Sequence, residues 1–229
     1  MKLVDRELDK YIRNYSSSES EVLQELDRET NLHSLQPRML SGHIQGLILK
    51  MIISMCSPRR VLEIGTFTGY SAIAMAMALK SGATLHTIDI NDEISDLPRR
   101  FIKKANVEDR VVQHIGSALD IVPTLGEVFD VVFIDGDKRE YMEYYNMLFD
   151  CGAVAAGSII LADNVLWDGK VVEESSKNLK DAYTQGILSF NEYVRHDNRV
   201  EVVIMPFRDG MSIIKVIKVI KNEETFTEK

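Results

Sequence analysis

From Val61 onward, short apolar runs alternate with amphipathic stretches, and no other feature of this sequence constrains the fold as much. The runs are VLEIG (61–65), TLHTIDI (84–90), VVQHIG (111–116), FDVVFIDGD (129–137) and SIILADNV (158–165). Between them lie SAIAMAMALK (71–80), the segment around RRFIKKA (99–105), ALDIVPTL (118–125) and YMEYYNMLF (141–149). Strands apolar at nearly every position are covered on both faces, and a helix between each pair returns the chain across the sheet. The pattern therefore specifies an α/β fold of βαβ units with a mostly parallel sheet. Pro98 lacks a backbone donor and places the helix of its segment mainly after it. Two last strands, VEVVIMPF (200–207) and MSIIKV (211–216), are separated only by Arg208 to Gly210. So short a connection permits a hairpin and excludes a parallel crossover, so the sheet of seven strands should end with an antiparallel strand. The terminal IIKVIKVIK run (213–221), with lysine at every third position, reads as a protected sheet edge.

The region before Val61 has helical spacing. Leu3, Val4, Leu8, Tyr11, Ile12 and Tyr15 share one face, and a Ser18-x-x-Glu21 capping box predicts the start of a second helix. Ile44, Leu47, Ile48, Met51 and Ile52 define a third after Ser41, and another helix is expected over about 177–195. No repeat or linker divides these parts, so residues 1–229 read as one domain, a helical extension (1–58) on an α/β core (59–221). An apolar fraction of 45% supports a core without disulfide staples. Cys56 and Cys151 lack metal or redox spacing and are expected to be small buried residues in a reducing compartment. The first fifteen residues mix charges, unlike a secretory leader, and Lys50 and Pro58 limit the longest apolar stretch. No membrane span is therefore expected, and the cytoplasm is the expected location. A formal net charge of −8 disfavours a surface that tracks nucleic-acid phosphates.

The turn GTFTGYS (65–71) brings Gly65 and Gly69 in front of a helix N-terminus, where backbone can approach a ligand closely. A dinucleotide site would require G-x-G-x-x-G, and Phe67 breaks that pattern, which argues against a nicotinamide dehydrogenase. Asp89 closes the second strand, placed to accept hydrogen bonds from both hydroxyls of an unphosphorylated ribose. Glu63 lies inside an apolar strand, where a carboxylate is costly unless paired with a cation. Each feature alone has a plainer explanation as a turn glycine or a satisfied core acid. Together, Glu63, Gly65, Gly69 and Asp89 describe a site for a nucleoside with an ammonium-bearing, phosphate-free tail, which is S-adenosylmethionine.

Two further strands end in polar ligands at the same edge: Asp135 and Asp137 after one, Asp163 and Asn164 after the next. Adjacent strands lie about 4.8 Å apart, so these ends can converge on one ion. Capping explains one acid per strand better than this doubled set. Oxygen-only ligation selects a hard divalent cation, Mg²⁺, Mn²⁺ or Ca²⁺, over zinc, with room left for water or a substrate oxygen. Such a cation favours ionisation of a phenol, which otherwise titrates near pH ~10. Lys138 follows at once, either as a solvated first-turn lysine or as a group that removes the phenolic proton or stabilises the developing charge.

Six stretches, PRMLSGHIQG (37–46), VLEIGTFTGYS (61–71), HTIDI (86–90), VVFIDGDKREY (131–141), ILADNVLWDG (160–169) and MPFRDGMSIIK (205–215), carry a resemblance. In order, they resemble the caffeoyl-CoA and catechol O-methyltransferase family of metal-dependent class I enzymes, over roughly residues 36–217. The resemblance implies a Rossmann-like class I methyltransferase fold. It also implies that Asp135, Asp163 and Asn164 hold the metal, that Lys138 is the base, and that Glu63, Gly65, Thr66, Ser71, Asp89, Ala118 and Asp137 contact the cofactor, with Ser41 near its methionine end. Trp167 and Asp168 would reach toward the substrate, with a packing aromatic and a turn acid as the plainer alternatives. A homodimer is implied too, for which the amino-terminal helices offer an apolar surface. Two departures bear on the acceptor. Asp168 stands where plant members usually have Asn, and Val171 to Lys180 is shorter than the plant insertion, which argues against a CoA thioester.

The expected reaction is in-line transfer of the methyl group of S-adenosylmethionine to a hydroxyl of a small aromatic, catechol-like substrate. Methylation of a hydroxylated uridine in tRNA by the same site is one alternative, and the negative charge weighs against it. A non-catalytic S-adenosylmethionine-binding protein is another, against which the full ligand set and Lys138 weigh.

Overall fold

The computed structural model describes residues 6–172 and 181–219. Leu3 and Val4, the shortened loop from residue 173 to 180 with the expected start of the late helix, and residues 220–221 of the core boundary lie outside the described residues. Each apolar run forms a strand: β1 (Arg60–Ile64), β2 (Thr84–Asp89), β3 (Val111–Ile115), β4 (Val131–Ile134) and β5 (Ile159–Asp163), then β6 (Val200–Met205) and β7 (Met211–Val216). They form one sheet in the order β3-β2-β1-β4-β5-β7-β6. The first five are parallel, and β7 runs antiparallel to both β5 and β6. The seven-stranded, mostly parallel sheet with an antiparallel carboxyl-terminal strand follows the sequence pattern.

The helices are α1 (Arg6–Asn14), α2 (Glu21–His33), α3 (Gly42–Cys56), α4 (Tyr70–Ala76), α5 (Asp96–Lys104), α6 (Ala118–Leu125), α7 (Tyr141–Asp150) and α8 (Ala182–His196). Because side chains alternate along a strand, the sheet has two separate cores. Leu62, Ile64, Val132 and Ile160 pack with Tyr141, Tyr145, Leu148 and Phe190 of α7 and α8. Val61, Leu85, Phe133 and Leu161 pack on the other face with Leu49, Ile53, Ala72 and Met75 of α3 and α4.

Several expectations need correction. The IIKVIKVIK run does not form an edge: its first residues lie in β7, between β5 and β6, so β6 is the outer strand. Helix α2 begins at Glu21 with Ser20, not Ser18, at its N-cap, and no side chain closes a capping bond there. Most of α5 follows Pro98, as expected; the proline itself is the third helical residue, where the first four N–H groups of a helix have no partner within it. Both cysteines are exposed rather than buried, at the carboxyl-terminal ends of α3 and α7. The turn and helix over Pro37–Cys56 reach the length and apolarity of a membrane span, contrary to the reading from Lys50 and Pro58. Leu49 and Ile53 of that helix are fully buried against the sheet.

The chain leaves β1 toward β2 and β3 and then returns to the other side of β1 as β4. This places the topological switch point, and the crevice where such sheets bind ligands, at the carboxyl ends of β1 and β4. Gly65 sits there with φ +103°, and a Cβ on it would lie 2.4 Å from the carbonyl oxygen of Asp135. Only glycine lets these two strand ends pass so closely.

Candidate active site

On the β1–β2 side of the crevice, Glu63 is wholly buried. Thr87 Oγ1 donates to its Oε2 at 2.5 Å and lies 2.5 Å from Thr66 Oγ1, and the Ser71 hydroxyl, in the first turn of α4, lies close by. Its other oxygen, Oε1, is buried with no partner among the described residues. Burial pushes the carboxyl up to about 8, the Ser71 and Thr87 hydroxyls oppose this, and the nearby Asp135 and Asp89 reinforce it. A buried acceptor with a free lone pair and no cation beside it fits an ammonium-bearing ligand. Asp89 accepts from the Phe67 N–H at 2.7 Å and the Asn91 N–H at 2.9 Å, which ties the GTFTG turn to the end of β2. Each carboxylate oxygen retains a lone pair for a ribose hydroxyl. Ala118 is the buried first residue of α6, beyond β3, and Ser41 is the buried N-cap residue of α3. Asp137 has a local role: it caps the 3-10 turn Lys138–Glu140, and Arg139, by hydrogen bonding and charge, holds its carboxyl below the usual range.

On the β4–β5 side, Ile134 pairs with Ala162, so Asp135 and Asp163 emerge next to each other. Tyr141, buried at the start of α7, donates its hydroxyl toward both the Ile134 carbonyl (3.1 Å) and the Asp163 carbonyl (2.9 Å), bridging the two strand ends. Lys138 Nζ is 2.7 Å from Asp135 Oδ1, and Gln45 Nε2 donates to Asp163 Oδ2 at 2.7 Å. Burial pushes Asp163 up to about 6, with Asp135 adding to the shift and Lys138, the Gln45 hydrogen bond and Arg208 opposing it. For Lys138, burial acts downward, but Asp135, Tyr141 and Asp163 outweigh it and hold the ammonium above its ordinary value. Lys138 is thus protonated in this arrangement.

Asn164 has φ 58°, a left-handed conformation that turns the chain directly after Asp163. Among the described residues no three His, Cys, Asp and Glu side chains gather at one point; the set expected here has only two carboxylates, completed by an amide. Two adjacent acids, one raised by burial and by the other, fit a hard divalent cation.

Trp167 and Asp168 follow in a strained loop, with φ 46° and 52°. Trp167 stacks on Tyr183 of α8 with ring centroids 6.1 Å apart, and its buried Nε1 has no acceptor among the described residues. Sequence reasoning overlooked Gln45, Thr87, Tyr141, Arg208 and Asp209. Gln45 had a signal, as a polar residue in the apolar stretch of α3; the others are brought in by tertiary contacts. A surface depression lined by Phe149, Asp150, Tyr193 and Arg199 among others includes none of the expected site residues.

The O-methyltransferase family profile matches residues 13–217. Caffeoyl-CoA O-methyltransferase of Eucalyptus gunnii is 33% identical over 208 residues, covering 87% of this chain and 82% of that protein. The O-methyltransferase of Bacillus cereus in complex with S-adenosylhomocysteine superposes with a TM-score of 0.84 at 29% identity, over 92% of this chain and 97% of that one. The O-methyltransferase TomG of Streptomyces achromogenes, involved in tomaymycin synthesis and solved with S-adenosylmethionine, gives 0.83 at 30% identity, over 92% and 96%. The fold, the crevice and these matches agree: the chain belongs to the O-methyltransferase family, whose enzymes take the methyl group from S-adenosylmethionine.

Proposed function

We propose that this enzyme transfers the methyl group of S-adenosylmethionine to a hydroxyl of a small aromatic, catechol-like acceptor, with a divalent cation held by Asp135, Asp163 and Asn164. The observation that carries the reading is the juxtaposition of two strand-end carboxylates, a left-handed Asn164 and a buried Lys138 ammonium, across one crevice from the orphaned Glu63 oxygen. The bound cofactor and product of the two bacterial relatives support the same donor here. When bound, the cation supplies Lewis-acid polarisation that favours the ionised form of the acceptor hydroxyl. The chain's residues do the rest. Glu63 neutralises the ammonium of the donor, Asp89 holds the ribose, and the Gly65 turn lets the donor approach the ends of β1 and β4. The Lys138 ammonium stabilises the developing oxyanion; to act as a base it would first have to lose its own proton, which the pair with Asp135 opposes. Trp167, stacked on Tyr183, offers an aromatic wall to the acceptor, and Asp168 stands beside it.

A homodimer and a cytoplasmic location belong to the same proposal. The amino-terminal helix and the turn after it expose Leu8, Tyr11 and Tyr15, and the outer strand β6 exposes Val203 and Ile204, apolar surface that a second copy would cover. Two free, exposed cysteines suit a reducing compartment. The test is a labelled-methyl assay across small catechols, a caffeoyl thioester and unmodified tRNA, after dialysis against EDTA and again with Mg²⁺. Activity on a catechol that vanishes with chelation and returns with Mg²⁺ is the expected result. Full activity in EDTA would overturn the metal, and preference for the thioester or tRNA would overturn the acceptor.

A further inference from the structure

Gln45 is a 1% exposed amide on a helix face that is otherwise apolar, and its two ends meet different partners. Its Oε1 accepts from Arg208 Nη1 at 2.6 Å, and its Nε2 donates to Asp163 Oδ2 at 2.7 Å. A guanidinium can only donate, so Arg208 fixes which way the amide points and obliges the NH₂ group to face Asp163. Arg208 is itself fixed by a second bond, from Nη2 to the Leu40 carbonyl at 3.1 Å. It occupies the turn between β6 and β7 with φ 49°, a conformation that non-glycine residues seldom adopt without a reason. The same turn holds the loop after β5: the Val165 N–H donates to the Gly210 carbonyl (3.2 Å), the Leu166 N–H to the Asp209 carbonyl (2.9 Å), and the Asp168 N–H to the Asp209 carboxylate.

We propose that Gln45 and Arg208 are positioning residues for Asp163: Arg208 orients the Gln45 amide, the amide occupies one carboxylate oxygen of Asp163, and the other oxygen is thereby presented for cation binding. The proposal rests on the metal reading above. Neither residue touches the acceptor or the donor in this account; each acts through Asp163. Partners one step removed from a ligand orient it and tune its affinity, commonly by 10- to 100-fold. Gln45 and Arg208 thus tie the amino-terminal helical layer and the last hairpin to one ligand at the carboxyl end of β5.

The experiment measures Mn²⁺ affinity by the electron paramagnetic resonance signal of the free ion, and S-adenosylmethionine affinity by calorimetry. It compares the full chain with Gln45→Leu, Arg208→Met, Arg208→Lys and the Gln45→Leu/Arg208→Met double variant. Gln45→Leu should weaken Mn²⁺ binding roughly tenfold or more while leaving S-adenosylmethionine binding unchanged. Arg208→Met should weaken Mn²⁺ binding too, the double variant should be no worse than Gln45→Leu alone, and Arg208→Lys should recover part of the loss. Unchanged Mn²⁺ affinity in Gln45→Leu, strictly additive losses, or a parallel loss of both affinities, the mark of a merely structural role, would each overturn it. If Gln45→Leu does not fold, Arg208→Met in the surface turn decides alone, and an unchanged Mn²⁺ affinity there overturns the proposal. Should the unaltered protein bind no Mn²⁺, the metal reading and this proposal fall together; binding by the unaltered protein with no effect of the variants removes only this one.

Discussion

Among the crevice residues, the buried Glu63 carboxyl offers the most direct test of the proposed ligand's charge. Its carboxyl is held at about 8 against an ordinary 4.5, so without a cation beside it the group is mostly protonated at pH 7. The folded value is raised, so Glu63's contribution to stability is full below 4.5 and is lost as pH rises through about 8. An ammonium placed against it favours the ionised form. Binding of S-adenosylmethionine at pH 7 should therefore release up to about one proton, read as a dependence of the binding enthalpy on the ionisation enthalpy of the buffer. Glu63→Gln should abolish that dependence and weaken binding; an unaltered dependence in the variant would show that Glu63 does not meet the ammonium. Lys138 makes a separate prediction. Lys138→Met keeps the length of the side chain and removes the charge beside Asp135, and kcat should fall roughly 10²- to 10⁴-fold with the KM for S-adenosylmethionine unchanged. Steady-state kinetics decide it, and a change confined to KM would remove Lys138 from the chemical step.

The elements differ in how completely they are covered. The inner strands are buried on both faces, whereas β6 leaves Val202, Val203, Ile204 and Met205 exposed, from 38% to 56%. An outer strand with this composition invites pairing, and the usual protection by lysine or proline is absent from those four positions. Val203→Lys, at the most exposed of them, should shift the protein from dimer to monomer in sedimentation while leaving its thermal midpoint nearly unchanged. A monomeric unaltered protein would remove the dimer from the account. Helix α8 shows the opposite case, close packing that constrains one residue type. A Cβ on Gly186 would lie 2.4 Å from the Lys138 carbonyl, so the helix reaches the turn that carries Lys138 only because position 186 is glycine.

For the molecule as a whole, part of the acid sensitivity lies between β2 and β3, at one side of the sheet. His86 of β2 and His114 of β3 place ring nitrogens 3.1 Å apart, a contact that needs one donor and one acceptor. Burial lowers the His86 imidazole, with Glu127 opposing and His114 and Arg60 assisting, and burial lowers His114 as well. Both folded values lie below the ordinary 6.5, so the unfolded chain binds more protons just below that pH, and stability falls as the solution is acidified through it. His114→Gln, which keeps a hydrogen-bonding side chain without the titration, should flatten the thermal midpoint between about pH 5 and 7. An equally steep acid limb in the variant would place the sensitivity elsewhere.

The sequence by itself determined the five parallel strands, the helices between them, the seven-strand total and the arrival of Glu63, Asp89, Asp135 and Asp163 at strands or strand ends. These are local properties: the spacing of apolar residues sets strand and helix, and parallel strands in such units deliver their last residues to one edge. Other features depended on which distant segments come together. A hairpin signal at residues 200–216 cannot tell which of its strands docks on β5, so the inner place of β7 emerged only in the assembled sheet. The left-handed conformations at Asn164 and Arg208 fall on residues that are not glycine, so nothing at those positions announces them. Gln45 reaches Asp163 across 118 positions and Arg208 reaches Gln45 across 163. Contacts between such distant residues have no periodicity, and packing of α3 and the last hairpin against the strand ends decided them.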